Sequence, residues 1–127
     1  SPTRAPSLGR KVVAVEPETS CALHTALRAG QPVDVEVSGI AANALGARRV
    51  GQICFDLTRD QNIQAVTVAD QAIADAQAML WHNMRQFVEP AGAAALAALM
   101  SGAYQPTKGE KVAILICGAN PAPDPFL

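Results

Sequence analysis

An α/β fold, with an open and mainly parallel sheet flanked by helices, is what this 127-residue sequence predicts. Three observations point there. β-Branched apolar runs alternate along the chain with Ala- and Leu-rich stretches of helical period. The last run, KVAILIC at 111–117, is almost wholly apolar, the pattern of an interior strand covered on both faces. Half of the residues are apolar and only 4% are aromatic, so the core must be built from closely packed Ala, Val, Leu and Ile. Small-residue helices lying on a sheet meet that requirement.

The opening SPTRAPSLG has two prolines and no hydrophobic period, which predicts a flexible arm over 1–9 and a single domain over 10–127. KVVAVEP (11–17) is a short β-branched run closed by proline, hence a buried strand. TSCALHTALRAG (19–30) reads as a helix, with Thr19 or Ser20 as N-cap, Leu23, Ala26 and Leu27 on one face, and Gly30 as the stop. QPVDVEVSG alternates apolar with polar residues, as an exposed strand or extended loop does. IAANALGARRVGQICFDLTRD (40–60) has helical propensity but is broken at Gly46 and Gly51, which predicts a short helix, a turn and a second short helix. IQAVTV (63–68) is a further strand. Asp70 then opens a long helix in which Ile73, Ala76, Leu80, Met84 and Phe87 recur at helical steps. Pro90 is placed to start another helix, which ends at Gly102.

The composition also excludes function classes. A net charge of −1, without blocks of like charge, offers no electrostatic footprint for nucleic acid. The longest apolar run is too short to cross a bilayer, so no membrane partner is expected. Three separated cysteines, Cys21, Cys54 and Cys117, form neither a disulfide framework nor a CxxC zinc pair, and a reducing cytoplasm is the expected compartment. His24 and His82 lack ligand-spaced partners. At the carboxyl end of its strand, Cys117 lies where open α/β sheets hold ligands, although a cysteine there also serves as a small core filler. Gly118 and Asn120 make the turn beyond it, and Glu89 stands at a helix start, where a carboxylate suits the helix dipole.

Taken together and in order, VVAVEPE (12–18), SGIAANALGARRVG (38–51), VEPAGAAALAAL (88–99) and ILICGAN (114–120) resemble the C-terminal half of the serine/threonine dehydratases. These are pyridoxal-phosphate enzymes of the tryptophan-synthase-β fold type. The resemblance implies part of the large domain of that fold and a cofactor neighbourhood of Cys117, Gly118, Asn120, Glu89 and Ala44. It places Cys117 opposite the pyridine nitrogen, where a neutral thiol leaves the ring a milder electron sink than a carboxylate would. The reaction it implies is β-elimination of a hydroxy-amino acid to a 2-keto acid and ammonia. Relatives often have an acidic residue and a glycine where this chain has Asn43 and Ala44. Relatives activated by a divalent cation ligate it with the glutamate matching Glu16 and an acidic residue where this chain has Ala22, so no metal site is expected.

The family's reactive lysine lies in an S-x-K-x-R-G segment and its phosphate in a glycine-rich loop, neither of which occurs in this sequence. No catalytic residue is therefore assigned. The expectation is a truncated dehydratase-like chain, inactive and without bound pyridoxal phosphate on its own. A stand-alone assembly module, or half of a split enzyme completed by an N-terminal half, is the alternative. Apolar faces opened by such a division predict a homodimer, through the long helix or the edge of the strand that begins at Lys11.

Overall fold

The computed structural model describes residues 9–120. The predicted arm thus lies, apart from Gly9, outside the described residues. The elements are strand β1 (Val13–Pro17), helix α1 (Ala22–Ala29), helix α2 (Gln52–Asp60), strand β2 (Gln64–Val68), helix α3 (Asp70–Met84), a 3-10 turn (Pro90–Ala93) and helix α4 (Ala94–Ser101). β1 and β2 pair in parallel, with Val13 opposite Gln64 and Pro17 opposite Val68. The α/β class and the parallel sense of the sheet agree with the sequence.

Helices α3 and α4 provide most of the core. Ile73, Ala76 and Leu80 of α3 meet Ala94, Leu96, Ala97 and Ala98 of α4, joined by Val68 and Tyr104. Alanine on α4 lets the helix come close to both α3 and the sheet, which is why the chain manages with so few aromatics. α1 ends at Gly30 and α4 at Gly102, both left-handed, where the sequence puts the stops.

Four local expectations are corrected. Helix α1 is not capped by Thr19 or Ser20. Its N-cap is Cys21, which forms no side-chain cap bond. The free amides of Leu23 and His24 instead donate to the two carboxylate oxygens of Glu16, at 3.0 and 2.7 Å. A strand residue thus does the capping, which leaves Thr19 free to bond Asp70 and Ser20 free to bond the Leu45 carbonyl. Residues 40–45 form turns rather than the first short helix, and only α2 is helical in that stretch. α3 stops at Met84 because Arg85 adopts a left-handed conformation, so Phe87 lies beyond the helix and meets Trp81 edge-on at 5.8 Å between ring centroids.

The fourth correction concerns KVAILIC, the expected interior strand. Residues 111–117 are not assigned to a strand, and Val112, Leu115 and Ile116 are exposed, Leu115 by 75%. The segment runs beside β1 over α4, but its backbone forms no hydrogen bond among the described residues. A strand is defined by its neighbours, and among the described residues this one bonds to none.

At the start of that segment the Tyr104 hydroxyl donates to Glu110 at 2.6 Å, and the Thr107 amide donates to the other oxygen at 2.9 Å. These bonds, with the charge of Lys11, hold the Glu110 carboxyl below its ordinary value of 4.5. A carboxylate depressed by folding contributes stability above its unfolded pKa and loses it as pH falls through the lower folded value. Glu110→Gln is therefore expected to lower the neutral plateau of the melting temperature slightly and, by the same small amount, to flatten its decline below about pH 4.5. Melting curves from pH 2 to 7 check this. A decline in the variant as steep as in the parent would contradict it.

Candidate functional site

A cavity of about 460 Å³ opens between the 40–44 turn, α3 and the Glu89–Ala91 turn. That volume lies in the range of small-molecule sites. Ala44 and Asn43 line one side, Glu89 and Pro90 the other, and Asn120 a third, with Gln77 of α3 behind. Three of the residues singled out by sequence, Ala44, Glu89 and Asn120, are thereby brought to one place.

Gly118 and Cys117 join them through the backbone. The Glu89 amide donates to the Gly118 carbonyl at 3.0 Å. Gly118 has φ +83, a conformation that favours glycine, and the Glu89 side chain lies where a Cβ would point. One residue back, the Cys117 carbonyl lies against Gly92, where even a methyl group would overlap it. The Glu89–Gly92 turn thus clamps 117–118 from below. Proline at the first position of that turn costs no hydrogen bond and pre-sets its φ. The Cys117 residue is exposed, and its side chain is not among those lining the cavity.

Gln77 was missed by the sequence reading. A polar residue on an alanine-rich helix reads as solvent-facing, but its amide nitrogen donates to the Val88 carbonyl at 2.9 Å and fixes the approach to Glu89. On the opposite wall, Asp70 accepts from the Thr19 hydroxyl at 2.9 Å and from the Ile40 amide at 3.2 Å, tying the 38–44 turn to the start of α3. Asp70→Ala is expected to cost about 1–2 kcal/mol through the lost helix-start charge and hydrogen bonds, and to speed amide exchange at Ile40 more than at the distant Gln61. Equal exchange at both sites would show that Asp70 does not hold the wall.

The lining suits an uncharged planar ring better than a phosphate. It offers amides, one carboxylate and alanine surfaces, with no lysine or arginine among the lining residues. Lys11 and Lys111 line a different cleft, at the start of β1. Among the described residues no three His, Cys, Asp or Glu side chains gather to hold a metal ion. Glu16, the one carboxylate the sequence raised for such a role, has both oxygens engaged by α1 amides. No helix among the described residues is long and apolar enough to cross a membrane.

Comparison with known proteins gives concordant matches. Residues 3–118 match the family model described as pyridoxal-phosphate dependent enzyme. The chain is 38% identical over 111 residues to the biosynthetic L-threonine dehydratase of Escherichia coli strain K12, covering 87% of this chain and 22% of that protein. It is 33% identical over 110 residues to phenylserine dehydratase of Ralstonia pickettii, covering 34% of it. Among solved structures it resembles the T.th. threonine deaminase, with a TM-score of 0.66 at 29% identity over 72% of this chain and 30% of the other. Maize serine racemase matches with a TM-score of 0.63 at 30% identity over 69% of this chain and 27% of the other. The chain therefore spans roughly a fifth to a third of the curated relatives it matches.

Proposed function

Because the chain belongs to the pyridoxal-phosphate-dependent enzymes, we propose that it forms the ring-side wall of a serine/threonine dehydratase-like site. The reaction is β-elimination of a hydroxy-amino acid to a 2-keto acid and ammonia. The convergence of Ala44, Glu89 and Asn120 on one cavity, with Gly118 locked to Glu89, carries this reading. When bound, the cofactor supplies the electron sink that makes the substrate α-proton acidic. The residues of this chain contribute position. Glu89 presents a carboxylate on a backbone fixed through its own amide and through the Gln77–Val88 tie, and Cys117, outside the cavity lining but joined to it through the backbone of Gly118, is the weak thiol partner this reading assigns to a ring nitrogen. The alanine wall at 41–44 is smooth enough to lie along a ring face.

In this reading the phosphate-binding loop and the reactive lysine come from outside this stretch, in keeping with a cavity lining that has no lysine or arginine among the described residues. Activity thus needs a complementary N-terminal part that carries both, and the substrate's carboxylate is gripped there too.

The test mixes the 127-residue chain with the N-terminal part of the Escherichia coli relative, cut where the match begins. The mixture is supplied with pyridoxal phosphate and assayed for keto acid from L-serine and L-threonine. Keto acid from the mixture alone, lost in Glu89→Ala and Asn120→Ala, is the expected result. A borohydride-fixed cofactor on a lysine of the isolated chain would overturn the division of roles. A reconstituted mixture that racemises serine without producing keto acid would overturn the dehydratase assignment.

A further inference from the structure

Gln77 occupies a place on α3 that suits an apolar side chain. It lies one turn after Ile73 and one turn before Leu80, both buried, and is itself half-buried. A carboxamide withdrawn from water there is costly unless a partner meets it. The partner is the Val88 carbonyl, to which the Gln77 side-chain nitrogen donates at 2.9 Å. That bond falls on an otherwise loosely held stretch. The amides of Arg85 and Gln86 close α3 on the Trp81 and Leu80 carbonyls, and Val88 makes no backbone hydrogen bond among the described residues. Glu89, which precedes a proline, is extended at φ −69 and ψ 160, so no helical turn fastens it from the N-terminal side. The next backbone bond is that of the Glu89 amide to the Gly118 carbonyl, at 3.0 Å. The Val88 carbonyl and the Glu89 amide belong to one peptide group, and in a planar trans peptide they point to opposite sides. α3 therefore grips this plane from one side and residue 118 from the other.

We propose that Gln77 is a positioning residue which, through this one peptide, couples α3 to the 117–120 turn and sets Glu89 and Asn120 against the same cavity. Turning the 88–89 plane breaks both bonds at once, so each is harder to lose while the other holds. A hydrogen bond accepted at the carbonyl also polarises the N–H of the same peptide and strengthens its bond to Gly118. The rotation of that plane decides the direction in which the Glu89 side chain leaves the backbone, and the carboxylate comes to rest where a Cβ of residue 118 would be. Asn120 follows two residues later and lines the cavity with Glu89 and Gln77. The clamp stands on geometry alone, whereas its service to the reaction rests on the dehydratase-like reading.

Gln77→Met and Gln77→Glu test this, since both keep the length of the side chain and suit a helix. Hydrogen exchange on the 127-residue chain should show the Glu89 amide losing roughly tenfold in protection in Gln77→Met, with Gln61 unchanged. In Gln77→Glu the same loss is expected at about pH 7, with recovery toward the parent at about pH 3, because a protonated carboxyl can again donate to Val88 and a methionine cannot. Glu89 is the one ionisable residue lining the cavity and is itself protonated at the lower pH, so each variant is compared with the parent at the same pH. A Glu89 amide as protected in Gln77→Met as in the parent would overturn the clamp, and so would a Gln77→Glu variant that never recovers. In the mixture with the N-terminal part of the Escherichia coli relative, Gln77→Met should lower kcat for keto acid more than it raises KM, because Glu89 is misplaced rather than removed. Full activity despite lost protection at Glu89 would overturn the positioning role and leave the dehydratase reading standing. Protection lost as expected, with no keto acid even from the parent mixture, would support the clamp and count against that reading.

Discussion

Alanine in place of Gly92 is expected to release residues 111–118 from the domain without unfolding it. A methyl group there would overlap the Cys117 carbonyl, and both partners are backbone, so no side-chain rotation relieves the clash. Overpacking of this kind costs about 1–3 kcal/mol when the surroundings can shift, and more when they cannot. Detachment is the cheaper response. Among the described residues the segment's single backbone tether to the turn is the Glu89–Gly118 bond, and one hydrogen bond contributes only about 1 kcal/mol net. The variant should keep its far-ultraviolet circular dichroism and lose a few degrees of melting temperature. Amide exchange should accelerate at Glu89, and any ligand affinity that depends on Asn120 should fall sharply. Unfolding of the whole chain, or exchange at Glu89 unchanged from the parent, would show that the clamp works differently.

Leu80→Ala should have a global effect instead. Leu80 is 1% exposed and sits among Ile73, Ala76, Ala93 and Ala97. Small neighbours fixed on two helices have little side chain with which to refill a void, so the upper part of the 2–5 kcal/mol range applies, about 4 kcal/mol. Against the 5–15 kcal/mol typical of domains, that is a large fraction, with a fall in melting temperature of roughly 15 °C or more. Leu80→Met, which keeps the volume, should cost less than about 1.5 kcal/mol. If thermal or urea denaturation gives the two variants similar losses, the α3–α4 contact is looser than the burial implies.

What was legible in the sequence is what local chemistry determines. Pro17 closes β1, Gly30 and Gly102 end their helices, and Pro90 starts its turn because each acts within a few residues of itself. The cap of α1 was misassigned because its carboxylate comes from Glu16, across a strand-to-helix turn, and the nearer Thr19 and Ser20 are drawn away by Asp70 and Leu45. KVAILIC was read as an interior strand, but its backbone has no strand partner among the described residues. Its composition reports a need for neighbours on both sides, while its structure in this chain depends on whether they are present. The site residues were legible only through resemblance, since positions 44, 89 and 120 carry no spacing that would join them. The fold brings them together through two ties that no motif announces, Asp70 to Ile40 and Gln77 to Val88.

The left-handed Arg85 that ends α3 also has an optical consequence. It leaves Trp81 with Phe87 against its edge and the Arg85 guanidinium over its face, at 5.2 Å from the ring centroid. Trp81 is the only tryptophan in the sequence, so excitation at the red edge of the protein band lights a single fluorophore in the last turn of α3, beside the segment that leads to Val88 and Glu89. Its emission wavelength and anisotropy form a built-in gauge of whether that turn is set, readable without a label and in real time as ligand or partner arrives.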